Sequence, residues 1–226
     1  MRRPTPLRAR CPGGCSCPPG WDGAEATGRR ARCRILEEER HRPKWQLALD
    51  MLDEVSAVGL RPAVLVADTG YGADADFRHG LEDRGLAYAV QVKSEMAAHA
   101  ETAEPYQPPC GGLGPRPLPR YRTRPVSLRE HVPAAGRARA VAVTWRKGSR
   151  TVMSARFVFL RVRLAGRRPK PARDGVIALR WLIAQWPGGE NEPVKNWASD
   201  LPPTSPPGTW SGSRNYGGAS STTTAS

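Results

Sequence analysis

The stretch that decides the fold is Ala63–Gly72, AVLVADTGYG. Its first five residues are apolar and lie between Pro62 and the Asp68-Thr69-Gly70 turn, the pattern of a strand buried on both faces. A carboxylate just past the C-terminal end of such a strand stands where α/β folds place ligand-handling groups. Gly70 and Gly72 free the backbone to turn sharply beside it. Asp68 is a hard oxygen donor suited to Mg²⁺. The same carboxylate reads equally as the cap of a turn or helix start, and spacing alone favours the cap.

The flanks extend the pattern. Upstream, Trp45, Ala48, Leu49, Leu52 and Val55 form a helical stripe within Lys44–Val58, with Asp50, Asp53 and Glu54 facing away and Gly59 and Pro62 ending the helix. Downstream, Asp74–Arg84 reads as a helix capped by Asp74 or Asp76, and Leu86–Val92 (LAYAVQV) as a strand. Helix, strand, helix, strand with short connections predicts an α/β layer with parallel pairing. Glu95–Pro125 is rich in Pro and Gly and reads as a long loop leading into an insertion. Arg137–Trp145 and Thr151–Leu164 predict a hairpin, with Val158, Leu160, Val162 and Leu164 on one face and Phe157, Phe159, Arg161 and Arg163 on the other. Val176–Trp186 is a further strand and Glu192–Leu201 a weaker one. Residues 1–34 and 202–226 lack a sustained period, so no order is expected there.

Composition narrows the class. With 23 Gly and 23 Pro in 226 residues, a helical bundle is excluded. No apolar run is long enough for a membrane span. No export signal is visible, so the expected location is cytoplasmic, with the 5 Cys reduced. Cys11, Cys15, Cys17 and Cys33 lack the paired spacing of a zinc site, and His41, His79, His99 and His131 are scattered without metal or triad spacing. Neither common phosphate-binding Gly loop is present. The net charge is +14, carried by 30 Arg and 5 Lys. Pro115–Gly175 alone holds 15 Arg and 2 Lys against Glu130 and Asp174, a net +15. That concentration favours a polyanionic partner, nucleic acid above all, over a merely solvated face.

The run from His41 to Glu95, with its helix, the VADTGYG turn and the FRHGLEDRGLAYAV segment in that order, resembles DDE-type transposases of bacterial insertion sequences. VKNWASDLP (194–202) is similar to the strand that precedes the last catalytic helix in that family. The resemblance extends over Arg30–Pro203, closely as far as Glu95 and loosely beyond. It implies an α/β fold: an incomplete ribonuclease-H-like core over 35–95, a loop and β-rich basic insertion over 96–201, and disordered termini. It further implies metal-dependent DNA strand cleavage and transfer, with three carboxylates holding two Mg²⁺ ions.

Asp68 matches the second of those carboxylates, as a catalytic and metal-binding residue. The expected DNA contacts are Arg137, Arg139, Arg146, Lys147, Arg150, Arg161, Arg163, Arg167 and Arg168, positioning transposon ends through phosphates. No membrane and no small-molecule cofactor are expected, and the resemblance leaves oligomeric state open. The first Asp belongs on a strand upstream of this sequence, and the Glu on a helix that nothing after Leu201 matches. Shifted by two bases, the codons of Gly208–Ser226 permit DLVRLAELRWRIEHDYREL, with the Glu codon spanning Ser220 and Ser221. The same offset over Arg10–Pro18 permits VSRWLFLP. A frame-damaged transposase, inactive by itself, is therefore expected, and the coding DNA must spell RWRIE in the alternative frame. Two rivals stand beside it. One is a non-catalytic nucleic-acid-binding protein using the 115–175 region. The other is a phosphatase with Asp68 as nucleophile, for which Asp74 and Asp76 fit helix capping better than acid catalysis.

Overall fold

The computed structural model describes residues 17–36, 39–112, 116–147, 152–166 and 169–201, with the backbone alone at 145–147 and 152. The chain divides into two compact units, Met1–Pro62 and Ala63–Ser226.

In the first unit, α1 (Thr27–Arg32) follows two short 3₁₀ turns, Pro19–Trp21 and Ala24–Ala26. No order was expected before residue 35, and over 17–34 the structure differs. The reason is Arg30, which is 8% exposed and donates to the carbonyls of Trp21 (3.2 Å), Leu36 (2.8 Å) and Glu39. Asp22 stands 3.6 Å from the same guanidinium. One buried cation thus gathers a segment that has no hydrophobic period of its own. Residues 1–16, with Cys11 and Cys15, lie outside the described residues.

Helix α2 spans Lys44–Ala57, within a residue of expectation. Leu49 of the predicted stripe is buried and Trp45, Ala48 and Leu52 are half-buried, whereas Val55 is exposed and Leu47, outside the stripe, is also buried.

The second unit begins with β1 (Leu65–Ala67), α3 (Thr69–Gly72), α4 (Ala75–Asp83) and β2 (Tyr88–Val92). It continues through β3 (Ala97–Ala100), β4 (Pro105–Tyr106), β5 (Arg120–Tyr121), β6 (Val126–Ser127) and α5 (Leu128–Ala135). The last strands are β7 (Val141–Lys147), β8 (Val152–Leu164), β9 (Leu179–Gln185) and β10 (Lys195–Ser199). Eight strands form one sheet in the order β1-β2-β10-β9-β8-β3-β6, with β7 on β8, while β4 and β5 pair separately.

The result is a mixed α/β architecture with a large, mostly antiparallel sheet. Among the described residues parallel pairing holds for β1 with β2 alone, and β10 returns antiparallel between β2 and β9. The parallel pairing expected of the two strands in the helix-strand-helix-strand layer therefore forms, whereas the position of β10 between β2 and β9 could not be read from periodicity, which reports a strand's faces and not its neighbours. β1 is also not buried on both faces: it ends the sheet, and Val66 is 55% exposed.

The β7–β8 hairpin forms as expected, with a register shift between Thr144 and Arg146. Val158, Val162 and Leu164 are buried, as the alternation required. The expected loop at 95–125 instead supplies β3 to β5, with β6 directly after it, because strands of two to four residues are too short to show a period. Among the described residues no helix is long and apolar enough to cross a membrane. Residues 202–226 lie outside the described region, and the out-of-frame Glu with them.

Candidate functional site

Asp68 follows β1 directly and is the N-cap of α3, where its Oδ1 accepts from the Gly70 amide at 2.9 Å. Its own carbonyl accepts from Tyr71 and Gly72. The carboxylate is exposed, and the capping role that spacing favoured is the one the geometry displays. It nevertheless stands at the C-terminal rim of the β1–β2 parallel pair, as the α/β rule requires.

The turn is held from below. A Cβ on Gly72 would fall 2.2 Å from the Gln91 carbonyl oxygen, so α3 lies against the backbone of β2. The buried Arg78 guanidinium donates to the carbonyls of Gly72 and Asp74, joining α4 to the same turn. Burial pulls Arg78 below its ordinary value, opposed by the charges of Tyr88, Glu82 and Asp74. The Asp74 side chain accepts from the Asp76 amide at 2.8 Å, so of the two candidates, Asp74 and Asp76, it is Asp74 that caps α4.

A second acid beside this sheet is Asp200, directly after β10, which sequence reasoning did not single out. Its Oδ1 accepts from the Tyr88 amide at 2.8 Å. Because Ala67 pairs with Val90, Asp68 stands near Gln91, three residues along β2 from Tyr88. At the strand rise this is roughly 10 Å, so the two carboxylates lie at opposite ends of the pair. Burial raises the Asp200 carboxyl above the usual range, against the pull of the Tyr88 amide and Arg180. Among the described residues no three His, Cys, Asp or Glu side chains converge to hold a metal. The described residues therefore do not fit a two-ion centre.

The basic residues divide by what they touch. Arg163 donates to the carbonyls of Ala103 (3.1 Å) and Ile177 (2.6 Å). Arg137 donates to the carbonyls of Pro187 (2.7 Å) and Gly188, with its guanidinium 5.8 Å from the Trp186 ring. Arg161 lies 4.9 Å over the Trp181 ring. These three are engaged in holding the β-rich region together. Arg139 is exposed, in the 3₁₀ turn Arg137–Arg139 that leads into β7. Arg146 and Lys147 lie on β7 with their side chains outside the described set, as are Arg150, Arg167 and Arg168 entirely.

A cluster that sequence reasoning missed is Arg120, Arg122 and Arg124, whose alternation with Tyr121 and Thr123 was its only signal. All three line a cleft with His99 and Tyr121.

Residues 10–152 match the family model described as DDE superfamily endonuclease, which makes this a DDE-type, transposase-like nuclease domain. The chain belongs to that family. The match begins earlier than the resemblance over Arg30–Pro203 suggested and ends in β8, before the VKNWASDLP strand. None of the curated proteins matches the chain. Family members use divalent metal ions and act on DNA.

Proposed function

We propose that the chain is a DNA-binding fragment of an insertion-sequence transposase, silent in strand cleavage when alone. Its core is a ribonuclease-H-like sheet in which Asp68 takes the place of the second catalytic carboxylate, with no metal-holding cluster of acids around it among the described residues. The observation that carries this reading is the placement of acids around Asp68. It occupies the expected strand tip, yet Asp74 is engaged in capping α4 and Asp200 in binding the Tyr88 amide at the far end of β2. A lone carboxylate cannot clamp two divalent ions against an in-line displacement. The basic β-rich region supplies phosphate contacts through exposed arginines such as Arg139, and its partner is transposon-end DNA.

The test is a supercoiled-plasmid nicking assay on purified protein with Mg²⁺ or Mn²⁺, beside a DNA-binding titration. Binding without nicking is the expected result. Metal-dependent nicking that disappears in Asp68→Ala overturns the silence. Asp68→Asn is the companion variant, because it keeps a capping oxygen for the Gly70 amide while removing the charge. The absence of binding at low salt overturns the DNA-binding part.

A further inference from the structure

The cleft beside β5 is built from segments far apart in sequence. His99 of β3 stacks on Tyr121 of β5, ring centroids 4.3 Å apart and planes inclined by 20°. The Tyr121 hydroxyl accepts from the Ile177 amide at 3.0 Å. Arg163 ties the Ile177 and Ala103 carbonyls from behind. Gly175, with a left-handed φ of +81°, lies so close to Pro119 that an added Cβ would stand 2.3 Å from the proline Cβ. No L side chain fits there, so the two walls are in contact and the cleft is pre-formed. Its volume is about 420 Å³, within the range of small-molecule sites.

The lining has one sign of charge. Arg120, Arg122 and Arg124 all line it, and among the described residues no acid does. Arg122 is stacked on Tyr106, its guanidinium carbon 3.5 Å from the ring centroid, which fixes its plane. Arg120 and Arg124 are exposed and pair with no acid among the described residues. Asp174, in the turn before Gly175, is occupied by the Val176 amide at 2.9 Å. His99 is 6% exposed, and its Nδ1 has no hydrogen-bond partner among the described residues. Burial, with His131 and Arg163 nearby, pulls this imidazole below its ordinary value, so near neutral pH it is an uncharged aromatic floor. Guanidinium groups at the rim and aromatic rings at the base match a phosphate attached to a flat, polar ring system.

We propose that this cleft is a phosphate-binding site for an unpaired nucleotide. Arg120 and Arg124 take the phosphate, and the base lies toward Tyr121 and His99. The site deepens the DNA-binding reading and rests on it for the source of its ligand. It is independent of Asp68.

The test uses the full chain and three probes: inorganic phosphate, thymidine 5′-monophosphate and a 5′-phosphorylated single-stranded oligothymidylate. Affinities are measured by calorimetry for the native sequence, the double variant Arg120→Gln/Arg124→Gln, and Arg29→Gln as a surface control in α1. The double variant is expected to bind the nucleotide-bearing probes at least roughly tenfold more weakly, with Arg29→Gln unchanged. Circular dichroism and melting temperature check that the variants are folded. Because both changed side chains are exposed, the fold is expected to persist. Binding of the oligonucleotide without binding of the free nucleotide supports the site and assigns its source to DNA strands. Binding of both supports it and adds the free nucleotide pool. Binding of inorganic phosphate alone, equal binding by the double variant, or failure of all three probes overturns it. If duplex DNA still binds while the three probes fail, this proposal falls and the DNA-binding reading stands. If the probes bind and duplex DNA does not, the reverse holds.

Discussion

At Gly72 a single methyl group would reach 2.2 Å from the Gln91 carbonyl oxygen and 2.8 Å from Val90 Cβ. Neither is the end of a flexible side chain, so α3 would have to lift from β2. Gly72→Ala is expected to cost about 1–3 kcal/mol, read as a lower urea midpoint at unchanged slope. Gly70→Ala meets only the Asp68 Oδ1, at 3.1 Å, and is expected to cost less. The two glycines of the VADTGYG turn therefore differ. Gly70 supplies the amide that Asp68 caps, and Gly72 supplies the clearance. The sequence showed both as turn residues. It had no means of separating them, because the obstructing atoms belong to a strand some twenty residues away.

Among the elements, β10 carries information that the local pattern could not rank. It pairs with both β2 and β9, which places Asp200 beside the Tyr88 amide. A carboxyl whose folded value lies above its unfolded one binds its proton more tightly when folded. The stability it contributes is complete below the ordinary carboxylate range and is lost as pH rises through the raised value. Asp200→Asn keeps an oxygen for the Tyr88 amide and removes the titration. Stability measured by urea unfolding from about pH 3 to pH 7 should fall less steeply in this variant than in the native sequence.

The basic strands separate in the same way. Arg163→Ala loses two hydrogen bonds to backbone carbonyls and leaves those carbonyls without a donor, so a stability loss of about 1–3 kcal/mol is expected. Arg139→Ala is expected to leave stability within about 0.5 kcal/mol and to reduce the salt dependence of DNA binding by about one phosphate contact. The opposite pairing of outcomes would reverse the assignment of structural and DNA-facing arginines. The local pattern located β7, β8 and β9 well, because each runs for seven or more residues, β8 by alternation and β9 by its apolar run. It missed β3 to β6, which are shorter than the window in which alternation is visible.

For the whole molecule the dominant quantity is charge. A net +14, concentrated in 115–175, predicts that the DNA binding proposed for this chain is strongly dependent on salt. If four phosphates are contacted, raising salt from about 50 to 200 mM should weaken binding roughly a hundredfold, measured by fluorescence anisotropy at several salt concentrations. A flat salt response would mean that the basic region does not meet a phosphate backbone.

The short-range properties were settled along the chain: the α2 and α4 boundaries, the Asp74 cap, the β7–β8 hairpin and the placing of Asp68 at a strand tip all follow from residues within a few positions of each other. Strand order, the exposure of Val66 at the sheet edge, the distance between Asp68 and Asp200, and the convergence of His99, Tyr121 and Gly175 on one cleft came from folding in three dimensions. The reason is the range of the forces involved. Caps, turns and alternation are decided by neighbouring backbone groups, whereas pairing partners and cleft walls are brought together by contacts between segments fifty to a hundred residues apart, which no local pattern encodes.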